Sequence, residues 1–79
     1  MKKEDFLKKI TSVLELEDED IILTMDTNLK DLDDYDSFSI LSIIVFIHKN
    51  FELQLTARQL QNVGTPHDIV KLIGEDKFE

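Results

Sequence analysis

A serine nucleophile with a histidine base, and carboxylates that bind a cation, are the first kinds of chemistry to consider in this chain. The serine that stands out is Ser37, which follows Asp36 directly and precedes the most apolar stretch of the sequence. A nucleophilic pair with His48 is excluded, because eleven residues on one helix separate the two by about 16 Å. The distance argument does not exclude His67, but Ser37 does not lie in a Gly-x-Ser-x-Gly turn as the nucleophile of such hydrolases does. The chain is therefore not predicted to be an enzyme, and both histidines are interpreted as solvated helix residues.

The aspartates around position 34 could instead bind a cation. If Asp31 opened an EF-hand loop, Asp36 would stand where that loop needs glycine, and Ser42 would stand where it needs a bidentate glutamate. The pattern fails at both diagnostic positions. We therefore predict no metal site and a solvated acidic loop, and the aspartates alone leave open a loose divalent-cation site of low affinity.

Ser37 remains a candidate for modification rather than catalysis. It lies at the start of a predicted helix, where its hydroxyl is accessible and where backbone N–H groups tolerate a phosphate. The residues alone leave a second interpretation open, in which Ser37 only caps the helix.

Length and composition limit the remaining possibilities. With 79 residues the chain has room for a single domain, 1–79, and without cysteine it has no disulfide, thiolate zinc site or cysteine nucleophile. Its longest strongly apolar run, residues 38–47, is too short to span a bilayer. No signal segment opens the sequence, so the expected compartment is the cytoplasm.

The charge of the chain is unevenly distributed. Residues 15–36 contain ten acids and one lysine, a sum of −9 within a total of −8, whereas residues 37–51 contain no acid. An acidic chain disfavours binding to nucleic acid or to an anionic membrane. A basic protein partner, in contrast, would be attracted to the acidic loop.

Hydrophobic periodicity and capping signals predict an all-α four-helix bundle. The apolar spacing from Phe6 to Leu14 indicates a helix that begins near Lys3, and a central helix is predicted over residues 37–50. Thr56 and Gln59 open a short third helix over residues 57–61, while Thr65 and a following proline open a fourth that stops at Gly74. The long acidic loop before the second helix is expected to be pinned to the core by Ile21, Ile22, Leu29 and Leu32, and the tail 75–79 is expected to fray.

The segment that begins Asp36-Ser37-Phe38 resembles the Asp-Ser-Leu motif of acyl carrier and peptidyl carrier proteins. In that family the motif opens the second helix, and an aromatic residue follows the serine by fourteen positions, as Phe51 does here. The leucines of the Thr-Asn-Leu-Lys-Asp-Leu stretch at 27–32 and the cap at Thr65 are also typical of the family. The resemblance covers the chain from about residue 6 to 73.

The resemblance implies a carrier function. By match of position, Ser37 would receive 4′-phosphopantetheine from coenzyme A through a phosphopantetheinyl transferase. The thiol of the arm would be loaded by an adenylating ligase with an acyl or aminoacyl group, held as a thioester, and an acyltransferase would take the cargo on. The alternative is a small helical protein-interaction module in which Ser37 is only a cap.

One departure from fatty-acid carriers bears on the partners. Those carriers have acids two, five, eleven, twelve and thirteen residues after the serine, and the corresponding residues here are Ser39, Ser42, His48, Lys49 and Asn50. The phenylalanine after the serine instead resembles specialised stand-alone carriers such as the D-alanyl carrier protein. This similarity implies dedicated enzymes as partners.

The resemblance also implies a docking surface beside the arm on a monomeric carrier. Its expected residues are the loop acids Asp31, Asp33, Asp34 and Asp36 together with the helix residues Phe38, Ser39, Leu41, Ser42, Val45, Phe46 and Lys49. The residues leave open that Val45 and Phe46 belong to the core. The bundle interior around Ile40, Ile44, Ile47 and Val70 could also shelter an acyl chain.

Overall fold

The computed structural model describes residues 1–16, 21–33 and 35–79, and this part of the chain is helical without strands. Four α-helices follow in order: α1 (Lys3–Val13), α2 (Ser37–Phe51), α3 (Ala57–Gln61) and α4 (Pro66–Ile73). Short 3₁₀ turns lie at Leu29–Asp31 and Glu75–Lys77. The predicted all-α four-helix architecture is confirmed.

Helix α2 is the centre of the bundle. Its apolar side chains cover so much of its circumference that it packs against both α1 and α3. Ile43 and Ile47 are completely buried there, as are Phe6 and Ile10 on α1. The helix ends one residue later than the sequence predicts, where Glu52 adopts a left-handed conformation with φ 54°. No helix in the described residues is long and apolar enough to cross a membrane.

Both short helices begin at the caps that the sequence predicts. The Thr56 hydroxyl accepts from the Gln59 amide, and the Gln59 side chain accepts from the Thr56 amide, which completes a capping box. At α4, the Thr65 hydroxyl accepts from the Asp68 amide. The Asp68 carboxylate accepts from the backbone N–H of Gly64 at 3.3 Å, and this hydrogen bond is the main reason that the pKa of Asp68 lies below its usual value.

The loop before α2 is held to the start of α4 by two backbone hydrogen bonds. The Leu29 N–H donates to the Gly64 carbonyl at 2.7 Å, and the His67 N–H donates to the Met25 carbonyl at 3.1 Å. The predicted anchor Leu29 is fully buried. These bonds fix the segment that leads into α2.

The other three predicted anchors of this loop are buried to different extents. Ile21 and Leu32 are half-buried, but Ile22 is 85 % exposed, so its predicted anchoring role is wrong. The physical reason is that residues 21–24 form no helix or turn, so neighbouring side chains need not share the face that packs on the core. The neighbouring Leu23 takes the buried position, being 6 % exposed, and Ile22 therefore faces solvent.

The tail after α4 differs from the frayed segment that the sequence predicts. The ring of Phe78 packs edge-on against Phe6 with 5.3 Å between centroids, and it lies 5.4 Å from the ring of Phe51. The Glu79 N–H donates to the Met1 carbonyl at 3.0 Å. An aromatic side chain near the end of the chain thus gives the tail a place on the core that the charged residues around it do not reveal.

Candidate functional site

Helix α2 begins at a reciprocal capping box formed by Asp36 and Ser39. The Asp36 carboxylate accepts from the Ser39 amide at 3.1 Å and from the Ser39 hydroxyl at 3.3 Å. The Ser39 hydroxyl oxygen accepts in return from the Asp36 amide at 3.4 Å. The cap of the helix is therefore Asp36, and Ser37 is the first helical residue.

The hydroxyl of Ser37 is exposed and has no hydrogen-bond partner among the described residues. The capping role that the sequence left open for this serine is filled by Asp36 instead. The interpretation of Ser37 as only a helix cap is therefore wrong. What the structure leaves at this position is an accessible hydroxyl on a fixed backbone.

The first turn of α2 also provides backbone donors next to this hydroxyl. The amides of Ser39 and Ile40 donate to Asp36, whereas those of Ser37 and Phe38 have no partner within the described ranges. Unpaired N–H groups at a helix start carry partial positive charge and favour a nearby phosphate. The donor set therefore fits a phosphodiester on the Ser37 oxygen.

Apolar side chains continue from Ser37 along the outside of α2. Phe38 is 73 % exposed, Leu41 55 % and Val45 46 %, and their spacing of three and four residues keeps them on one face. These residues line a groove of about 480 Å³ together with Val13, Ser42, Phe46, Lys49 and Asn50. We call it the α1–α2 groove, because Val13 provides its wall from α1.

The sequence left open whether Val45 and Phe46 belong to the core, and the structure gives a different answer for each. Val45 is exposed and available to a partner, whereas Phe46 is only 9 % exposed and packs against Phe6 with 6.0 Å between ring centroids. Phe46 is thus a core residue with one edge in the groove. Its role as a docking residue stays a prediction.

The predicted docking serines have different surroundings. The side chain of Ser39 is half-buried and belongs to the cap, while the Ser42 hydroxyl donates to the Phe38 carbonyl one turn earlier at 3.0 Å. This role of Ser39 was not predicted, although an N-cap aspartate followed three residues later by a polar side chain is the spacing that could have revealed it. The place of Val13 in the groove was not predicted either, because its helical spacing indicated a core position.

The structure describes three of the four loop acids of the predicted docking surface. Asp31 and Asp33 are exposed, and Asp34 lies outside the described residues. Tyr35 is half-buried just before the cap, and burial raises the pKa of its hydroxyl. Asp31 and Asp33 are therefore presented to solvent on a segment that Tyr35 and Leu29 hold against the bundle.

Comparison with known families agrees with this geometry. The family model described as "Phosphopantetheine attachment site" matches residues 4–73, which include α1 through α4. No curated protein and no solved structure matches the chain. The family match identifies a carrier domain, a class of protein that is not catalytic.

The chain belongs to the phosphopantetheine-attachment family of acyl carrier proteins, and it carries a covalent 4′-phosphopantetheine group. Carriers of this family work with phosphopantetheinyl transferases and with synthetase or acyltransferase partners.

Proposed function

We propose that Ser37 bears the phosphopantetheine group and that the chain is a specialised carrier of an acyl or aminoacyl cargo. The arm supplies a thiol that holds the cargo as a thioester. The observation that carries this proposal is the division of roles at the start of α2, where Asp36 caps the helix and the Ser37 hydroxyl is exposed. A dedicated adenylating ligase would load the cargo, and an acyltransferase would receive it.

The residues around Ser37 support the modification in distinct ways. The capping box fixes the backbone of the first turn, so that the hydroxyl is presented in one place to the transferase. The amides of Ser37 and Phe38 are placed to stabilise the phosphodiester charge. Because the chain has no cysteine, no thiol of its own competes for the cargo.

Intact mass after co-expression with a promiscuous phosphopantetheinyl transferase tests the attachment. We expect the wild-type chain to gain the mass of one arm and Ser37→Ala to gain none. Ser12→Ala is the matched control, because it removes an exposed serine hydroxyl on α1, outside the docking surface, and should still be modified completely. An arm on the Ser37→Ala protein would refute the assignment.

We also propose that dedicated enzymes dock on a surface with two parts. The loop part contains Asp31, Asp33, Asp34 and Asp36, and these acids attract a basic partner. The helix part contains the exposed apolar side chains Phe38, Leu41 and Val45, with Ser42 beside them and Lys49 at the far end. The helix part offers no carboxylate to the basic docking surfaces of fatty-acid enzymes, and we expect the carrier to act as a monomer that presents this one face.

Transfer of an acyl group from the loaded carrier to a fatty-acid ketosynthase tests this specialisation. We expect poor turnover, and partial rescue when acids are placed on the helix by Ser42→Glu and Lys49→Glu. Ser39 is left unchanged, because an acid there would place a second negative charge in the capping box with Asp36. The control is Lys8→Glu, which makes the same charge change as Lys49→Glu on the exposed side of α1. Efficient turnover by the unchanged carrier would refute the specialisation but not the carrier function.

A further inference from the structure

We propose that Ser39 is a positioning residue of the attachment site, and that its hydroxyl holds the Asp36 carboxylate so that the helix start tolerates a charged group on Ser37. This inference rests on the proposed attachment to Ser37. It gives Ser39 a role in the modified protein, in addition to the capping box that this residue completes in the unmodified protein.

A phosphodiester on Ser37 would place a second negative charge beside Asp36. The two residues are neighbours in the chain, with Cα atoms about 3.8 Å apart, so charges on their side chains lie within the Debye length of about 10 Å at 0.1 M salt. Salt therefore screens the repulsion between them only in part. The modified helix start keeps its conformation only if other groups stabilise these charges.

Basic side chains do not serve this purpose. Residues 31–47 contain no lysine, arginine or histidine. The one ion pair within the described ranges joins Lys3 to Glu75, so no cation pairs with Asp36 in this part of the chain. The groups that do contact the Asp36 carboxylate are hydrogen-bond donors of its own helix.

Ser39 supplies two donors to this carboxylate. Its amide and its hydroxyl donate to the same oxygen, Asp36 Oδ1, at 3.1 and 3.3 Å. Hydrogen bonds to an ionised acceptor are about twice as strong as those between neutral groups, so the pair stabilises the negative charge and holds it against Ser39. The amides of Ser37 and Phe38, which have no partner among the described residues, remain available to the phosphate.

An alanine at position 39 would remove one of the two donors and keep the other. The Ser39 amide would still cap the helix, so the unmodified protein should lose only part of the capping box. In the modified protein, the same substitution would also leave the Asp36 charge less stabilised beside the phosphodiester. The cost of Ser39→Ala should therefore be larger when the arm is present.

Thermal unfolding with and without the arm tests this inference. Wild type, Ser39→Ala and Ser39→Thr are each prepared in the unmodified (apo) and modified (holo) forms, and the state of each is verified by intact mass. We expect Ser39→Ala to lower the Tm of the holo form by about 2–4 °C more than that of the apo form. This excess should shrink between about 0.1 M and 1 M NaCl, and it should be absent in Ser39→Thr, which keeps the hydroxyl.

Gln59→Ala is the matched control, because Gln59 has the same position in the capping box of α3 as Ser39 has in that of α2. Its side chain accepts from the Thr56 amide at 2.9 Å. Thr56 carries no charge that a phosphodiester could repel, so Gln59→Ala should lower the Tm of both forms equally. An excess in this control as large as that of Ser39→Ala would overturn the inference.

A second pair of variants makes the test independent of the transferase. In the unmodified protein, Ser37→Asp places a negative charge beside Asp36 without the arm, and it should lower the Tm more in the Ser39→Ala background than with Ser39 present. If Ser39→Ala is not modified, this comparison decides, and equal losses in the two backgrounds overturn the role of Ser39.

The remaining outcomes separate this inference from the proposed function. If no arm is found on Ser37, the proposed function fails and this inference fails with it. If the arm is present and Ser39→Ala lowers the Tm of the apo and holo forms equally, only the role of Ser39 is overturned. The same conclusion follows if Ser39→Thr shows the full excess of Ser39→Ala.

Discussion

The capping box predicts that two adjacent residues contribute very differently to stability. Asp36→Ala removes the acceptor of the Ser39 amide, which lies 3.1 Å from the Asp36 carboxylate. Loss of such a cap costs about 1 kcal/mol, and for a chain of this size that corresponds to a fall in Tm of about 4–8 °C. Ser37→Ala removes a hydroxyl without a partner among the described residues and introduces a good helix former, so its Tm should stay nearly unchanged.

Charge must be separated from capping in this experiment, because Asp36 belongs to the strongly acidic segment. Its removal relieves repulsion and partly offsets the lost cap. Asp36→Asn is the matched control, since it removes the same charge but keeps a side-chain acceptor that is as good a cap as aspartate. The difference between the alanine and asparagine variants should therefore be about 1 kcal/mol in the free energy of unfolding.

The measurement is unfolding of the unmodified protein by heat and by urea, followed by far-ultraviolet circular dichroism. Equal destabilisation by Ser37→Ala and Asp36→Ala would contradict the division of roles. Equal stability of the alanine and asparagine variants would show that the Asp36 side chain does not cap the helix. Ser39→Ala removes the other half of the capping box, in which the Ser39 hydroxyl accepts from the Asp36 amide at 3.4 Å and donates to the Asp36 carboxylate at 3.3 Å, so it should also destabilise the protein.

Three further predictions concern the rest of the molecule. Because the lowered pKa of Asp68 favours its charged form in the folded state, Asp68→Asn should destabilise the protein above pH 3.8. In a series of urea titrations, the difference in the free energy of unfolding between this variant and wild type should diminish as the pH falls below that value. The Tm should rise between about 0.1 M and 1 M NaCl, because the loop acids repel one another and the Debye length falls from about 10 to 3 Å over this range. A Tm insensitive to salt would mean that this repulsion is negligible. Phe78→Ala should lower the free energy of unfolding by about 1–2 kcal/mol through loss of the ring contacts with Phe6 and Phe51, whereas no change would be the result for a frayed tail.

Local signals in the sequence were sufficient for the helices. The caps at Thr56 and Thr65 each depend on a residue three positions later, and the stop depends on Gly74 itself. The structure has the helix boundaries where these signals put them. Gly74 has φ 112°, a conformation that other residues rarely adopt. Such features are encoded in neighbouring residues and need no knowledge of the rest of the fold.

The side of α2 that faces solvent could not be determined in the same way. Apolar residues occur on most of its circumference, so composition alone does not show that Val45 is exposed while Phe46 is buried. That choice depends on Phe6, which is forty positions away in the sequence and packs against Phe46. Ile22 and Leu23 illustrate the same limit, because either isoleucine or leucine could have taken the buried position.

The hydrogen bonds that hold the long loop to α4 have a consequence for the order of folding. They join Leu29 to Gly64 and Met25 to His67, over sequence separations of 35 and 42 residues, so they have a high contact order. The entropy of closing such large loops makes these contacts unfavourable until the helices have already collapsed. Residues 25–29 should therefore behave as low-φ positions, which stabilise the native state mainly by slowing its unfolding. Residues 25–29 would therefore form their native contacts last during folding and lose them first during unfolding.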